Sequence, residues 1–173
     1  MQRSAEERFD DIYRRYADAV TAYVRRRCTP DSVEDVVGET FVICWRKLEQ
    51  VPAEPLPWLY AVARKTLANE RRAAARPPVA TASEATVGSP EIESDPVLAR
   101  AFARLAEPDR EILRLVAWEQ LSLREAARAL GCSYVACRVR FHRARRRLAA
   151  HLERLESPST AANPRSRPEG VSP

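Results

Sequence analysis

Residues 122–148, SLREAARALGCSYVACRVRFHRARRRL, decide how the rest of the chain is read. Leu123, Ala126, Ala127 and Leu130 recur at helical spacing, which predicts a short amphipathic helix with one apolar stripe. Ser122 and Glu125 stand in capping-box order at its start. Gly131 falls just past the last periodic residue, where a left-handed residue can turn the chain. Ser133 then offers an oxygen to the free N–H groups of a second helix. The two helices are therefore expected to meet in a tight turn.

The second helix has two unlike faces. Cys137, Phe141, Ala144 and Leu148 recur at helical spacing and are expected to pack inward. That turns Val135, Val139, His142, Arg143 and Arg146 outward, with Arg138 and Arg140 flanking them. A helix-turn-helix puts such a second helix in the DNA major groove, where Arg reads guanine and neighbouring cations neutralise phosphates. The plainer alternative is a solvated basic helix end on an ordinary bundle. The capped pair of helices around a glycine turn favours the DNA reading.

Composition widens the picture. Only four glycines occur among 173 residues, the apolar positions follow helical period, and no alternating run suggests a strand, so the fold class is all-α. The net charge of +5 suits a polyanionic partner, though several protein classes share that property. Cys28, Cys44, Cys132 and Cys137 form no CxxC pair, and the closeness of Cys132, Cys137 and His142 is better explained by small buried thiols than by a metal site. No metal or other cofactor is expected. Arg3 is followed at once by an acidic amphipathic segment, and no run is long and apolar enough to span a bilayer. A cytoplasmic protein without membrane insertion is expected.

Earlier in the chain, Phe9, Ile12, Tyr13, Tyr16, Val20, Tyr23 and Val24 mark a first helix, ended by Thr29-Pro30. Asp31 and Ser32 precede Glu34 and Asp35 in capping-box order. Val33, Val36, Val37, Thr40, Phe41, Cys44 and Leu48 then give a second helix its buried face. Its opposite face carries Asp35, Gly38, Glu39, Val42, Arg46 and Glu49, an aliphatic residue among charges that suits a protein contact. Prolines 52, 55 and 57 make a short stiff loop, with Pro57 in the first turn of a third helix. Trp58, Leu59, Val62, Ala63 and Leu67 carry that helix. Arg64, Lys65, Asn69, Arg71, Arg72 and Arg76 gather along its exposed side and end, and helix-end capping accounts for only part of that charge.

Residues 77–94, rich in Pro, Ser, Thr and Ala, read as a flexible linker able to bury almost nothing. The units on either side are therefore expected to share few contacts. Asp95-Pro96 opens a helix through Leu98, Ala101, Phe102 and Leu105, and Pro108 and Asp109 open another through Ile112, Leu115 and Val116. Residues 156–173 read as a disordered tail. The organisation is thus two small helical domains, 4–76 and 95–155, joined by the linker.

This order of parts resembles a bacterial extracytoplasmic-function (ECF) sigma factor. DSVEDVVGETFVICWRKL at 31–48 resembles the family's region 2, PWLYAVARKTLANERR at 57–72 its promoter-melting helix, and the stretch 105–148 its region 4. The resemblance implies a transcription initiation subunit and no catalysis of its own. It implies that core RNA polymerase is bound through the β′ clamp helices, by Asp35, Glu39, Val42 and Arg46, and through the β flap. The −10 element would be held by Val51, Ala53, Glu54 and Leu56 of the loop with Trp58, Arg64, Lys65, Asn69, Arg71 and Arg72. Basic groups beside an aromatic suit single-stranded DNA, although Trp58 equally fits core packing. The −35 element would be read by Arg138, Val139, Arg140, His142, Arg143 and Arg146, and a cognate anti-sigma factor would cover the polymerase-binding faces. Gly38 replaces the family's usual Gln. Ala136, Cys137 and Val139 replace the commoner Thr, Val and Ser, so Val139 is suited to a thymine methyl rather than a hydrogen bond. An autonomous helix-turn-helix regulator is the competing class.

Overall fold

A computed structural model describes residues 4–74 and 95–156. The expected linker at 77–94, Arg76, and positions 157–173 of the expected tail lie outside the described residues. Within them the chain forms seven α-helices and no strand. These are α1 (Ala5–Arg25), α2 (Val33–Arg46), α3 (Leu56–Ala74), α4 (Pro96–Ala103), α5 (Glu107–Ala117), α6 (Leu123–Leu130) and α7 (Tyr134–Glu156).

Local chemistry sets most helix starts. Ser4 and Glu7 form a reciprocal capping box at α1, with Ser4 Oγ accepting from the Glu7 N–H at 3.1 Å. Asp95 accepts from the N–H groups of Val97 and Leu98, and Pro96 fills the first helical position of α4, where its missing N–H leaves no bond unmade. At α2 the expected cap is absent. Ser32 takes a helical backbone (φ −92°, ψ −5°) at the end of a 3₁₀ turn, Pro30–Ser32, and makes no side-chain cap bond. A capping side chain needs the extended backbone that aims its oxygen at the first free N–H groups.

The first three helices pack pairwise around Val20, Tyr23, Val24, Val36, Cys44 and Leu59. In the other group α7 is the spine, contacted by α4, α5 and α6 around Phe102, Ile112, Leu115, Ala126, Cys137 and Ala144. Between α5 and α6, Gln120 takes a left-handed backbone (φ 52°), which lets the Leu121 N–H reach the Leu115 carbonyl at 3.0 Å and buries Leu121.

The two helical groups do not stay apart, contrary to the expectation from the linker. Arg27, just past α1, is buried with Glu111 of α5 and Glu119 beyond it. Its Nε donates to Glu111 Oε2 at 2.9 Å and its Nη1 to Glu119 Oε1 at 3.0 Å. The Tyr23 hydroxyl donates to the other Glu111 oxygen at 2.8 Å, and the Tyr23 ring stacks on Tyr60 of α3 at 4.6 Å. Arg26 adds a second cation to Glu119. Two carboxylates and two guanidiniums nearly cancel in charge, which is how such groups tolerate burial. The Tyr60 phenol ionises well above its ordinary range, first because it is buried and then because Glu119 faces it. The composition of 77–94 sets no limit on what the helices on either side bury against each other.

Candidate nucleic-acid interface

The helix-turn-helix is built as its residues predict. Ser122 and Glu125 close a capping box at α6, Gly131 turns the chain at φ 67°, and the Cys132 N–H reaches the Ala127 carbonyl at 3.0 Å. Ser133 Oγ accepts the Ala136 N–H at 3.2 Å, starting α7. Buried Cys137 and Ala144, with half-buried Phe141 and Leu148, fix the rotation of α7 about its axis. Burial pushes the Cys137 thiol up to about 11, with adjacent Cys132 adding to the shift, so Cys137 is a protonated small hydrophobe at neutral pH.

That rotation places Arg138, Val139, His142, Arg143 and Arg146 along one shallow groove on the opposite face. All five are exposed; Arg140, expected with them, is half-buried and does not line the groove. Among the described residues, Arg138, Arg143 and Arg146 are paired with no carboxylate. Arg147, one position on, instead turns inward to Asp109 of α5. The helix thus pairs Arg147 within its own unit and leaves Arg138, Arg143 and Arg146 exposed on the opposite face.

The residues expected to hold a melted −10 strand divide into three groups. Lys65, Asn69 and Arg72 are exposed on one face of α3, where Arg72 bonds to Asn69, and Ala53 is exposed on the preceding loop. Val51 is buried, its carbonyl accepting from Arg8 at 2.6 Å, while Leu56 and Trp58 are half-buried against the core. Glu54, Arg64 and Arg71 meet the second helical group: Glu54 pairs with Arg128 of α6 at 2.9 Å, Arg64 donates to the Leu130 carbonyl at 3.4 Å, and Arg71 lies 3.9 Å from Glu107. Arg71 also donates to the Arg27 backbone carbonyl at 2.9 Å.

On α2, Asp35, Glu39, Val42 and Arg46 are all exposed, and helical spacing sets them in one stripe. Beside it lies an aromatic group that the sequence reading did not pick out. Trp45 is 46% exposed with its ring 5.3 Å from Phe9, and Tyr13 is 47% exposed with its ring 4.8 Å from Phe41. Tyr13 belongs to the aromatic and aliphatic stripe that marks α1. That stripe is wider than α2 and α3 can cover, so its edge stays open. The available signal was Trp45 itself, a large apolar residue off the buried face of α2.

Among the described residues, no helix is long and apolar enough to cross a membrane.

Comparison with known proteins agrees with this arrangement. Residues 12–77 match the family described as Sigma-70 region 2, and residues 97–148 match Sigma-70, region 4. The RNA polymerase sigma factor NccH of Alcaligenes xylosoxydans xylosoxydans is 30% identical, the alignment covering 84% of this chain and 87% of NccH. The structure of CnrH in complex with the cytosolic domain of CnrY is similar at a TM-score of 0.60 and 26% identity, covering 84% of this chain and 88% of that one. The sigma factor RpoE from Bartonella quintana, solved with the anti-sigma factor NepR, shares the fold at a TM-score of 0.60 and 22% identity, covering 84% and 96% of the two chains.

Proposed function

Since the chain belongs to the sigma-70 family, as an alternative sigma factor of the ECF type, we propose that it joins core RNA polymerase, brings it to a set of promoters and helps open them. The observation that carries this reading is the outer face of α7, where unpaired arginines and an exposed valine share one groove on a capped helix-turn-helix. That face suits an upstream duplex element, the arginines going to guanine edges and phosphates. The stripe Asp35, Glu39, Val42 and Arg46, extended by Trp45 and Tyr13, suits the β′ clamp helices. Such a patch has an apolar centre and a charged rim, the usual anatomy of a protein interface. Lys65, Asn69 and Arg72 suit a single strand at the −10 element, with Arg64 and Arg71 joining them once released from their present partners. The β flap would receive the last unit, and 77–94 would span the distance between the two promoter elements.

A cognate anti-sigma protein would cover the same exposed faces; the similar CnrH was solved with the cytosolic domain of CnrY, and RpoE from Bartonella quintana with the anti-sigma factor NepR. Tethering both units to polymerase raises their effective concentration at two DNA elements at once, which one monomeric helix-turn-helix cannot match. Run-off transcription by purified core enzyme on genomic fragments, with and without the full chain, tests the proposal. New start sites that require the chain support it. Tight sequence-specific duplex binding by a dimer of the chain alone, with no transcription from core enzyme, would instead make it an autonomous regulator.

A further inference from the structure

The outer face of α7 carries two apolar residues that folding does not explain. Val135 is 60% exposed and Val139 is 42% exposed, one turn apart, with Arg138, His142 and Arg143 around them. Valine lowers helix propensity relative to alanine, and neither side chain enters the core in return. Its branched Cβ holds one rotamer in a helix, so each valine projects a fixed pair of methyl groups without losing much side-chain freedom on binding. Both sit in the first two turns of the helix, the part of a recognition helix that meets base edges.

In the major groove only one base offers an apolar partner, the C5-methyl of thymine. We propose that Val135 and Val139 together read two thymine methyl groups in the upstream promoter element, setting its sequence preference between bases held by the flanking arginines. This rests on the reading of α7 as the duplex-binding helix, and the complementarity of its arginines to phosphate selects DNA as the occupant. The spacing follows from geometry. Four residues advance about 6 Å along a helix, and base pairs along the duplex are about 3.4 Å apart. The two thymines therefore lie one or two base-pair steps apart, on either strand.

The test uses the full chain with core polymerase. Duplexes with a randomised upstream element are selected by this holoenzyme, and each thymine of the selected element is then replaced by deoxyuridine, which removes the methyl and keeps every hydrogen-bonding group. Deoxyuridine at two positions one or two steps apart should each weaken binding about three- to fourfold, the loss expected for one buried methyl group. V135A should abolish the sensitivity at one position and V139A at the other, while V139I keeps it. Alanine favours the helix, so loss of folding does not confound the reading. A selected element lacking thymine at that spacing, or deoxyuridine tolerated everywhere while R143A still weakens binding, overturns the valine assignment and leaves the duplex-binding helix standing. If R143A also leaves selected-duplex binding unchanged, α7 is not the reading helix and both assignments fall.

Discussion

Arg27 and Glu111 meet at 2.9 Å although 84 positions separate them, and both side chains are almost wholly buried. Their contact joins the end of α1 to α5 across the two helical groups, and Glu119, Tyr23 and Arg26 complete the cluster. A buried pair of this kind contributes less to net stability than to uniqueness of arrangement, because desolvation offsets most of the attraction. Removing one partner is different, since the other is left charged and dry.

We expect R27M to destabilise the packed arrangement by about 3–5 kcal/mol, since it strands Glu111 without its ion-pair partner and leaves Glu119 only Arg26. Urea denaturation followed by circular dichroism gives the stability, and small-angle scattering gives the radius. R128A should change stability by about 1 kcal/mol or less, because its pair with Glu54 is exposed. Equal effects from the two variants would contradict the burial argument.

Arg64 reaches the second helical group at the Leu130 carbonyl and Arg71 lies 3.9 Å from Glu107, so the proposed strand binding by α3 should be weaker while the groups stay packed. A short bismaleimide bridge between E54C and R128C is expected to hold the packing and to suppress promoter opening by the holoenzyme, as read by permanganate reactivity of the −10 region. The unbridged double variant provides the reference. Undiminished opening by the bridged protein would mean that the packed arrangement is compatible with the open complex.

Val42 stands exposed at the centre of the α2 stripe. V42D should leave the circular dichroism spectrum and thermal midpoint close to wild type but reduce capture by core polymerase at least tenfold, because a desolvated carboxylate would enter an interface core. Unchanged affinity in a pull-down removes this stripe from the polymerase contact.

Two left-handed residues predict opposite outcomes. G131A should destabilise the helix-turn-helix by roughly 1–2 kcal/mol, because the strain at φ 67° is conformational even though a Cβ there meets open space. Q120G relieves the same strain at φ 52° and should stabilise by up to about 1 kcal/mol, the greater freedom of unfolded glycine offsetting part of the gain. Denaturation midpoints of the two variants check both signs.

Glu125 is held below the ordinary carboxylate range, chiefly by its hydrogen bonds to the Ser122 side chain and backbone. A depressed carboxyl stabilises the fold above its unfolded pKa, and that support is lost as pH falls through the depressed folded value. S122A should therefore cost about 1 kcal/mol at neutral pH, and its difference from wild type should narrow as acid protonates Glu125. A difference that stays constant from neutral to acid pH would refute this account of the cap.

Much of the local structure was legible in the sequence for a local reason. Capping by Asp95 and Ser122, the turn at Gly131 and the inward face of α7 depend on residues within a few positions of one another, and each forms as those residues dictate. The outward set Arg138, Val139, His142, Arg143 and Arg146 followed from helical period alone once Cys137 and Ala144 were turned inward. Where local chemistry was ambiguous, as at Ser32, the backbone chose a 3₁₀ entry that no spacing rule distinguishes from a cap. Only the tertiary structure decided that Arg27 would meet Glu111 and Glu119, that Arg64 would reach the Leu130 carbonyl and Arg71 the Arg27 carbonyl, and that Tyr13 would remain half exposed. Helical period tells which side of a helix is apolar; it does not tell which distant surface arrives to cover it, because charge pairing and burial between remote segments depend on how whole helices dock.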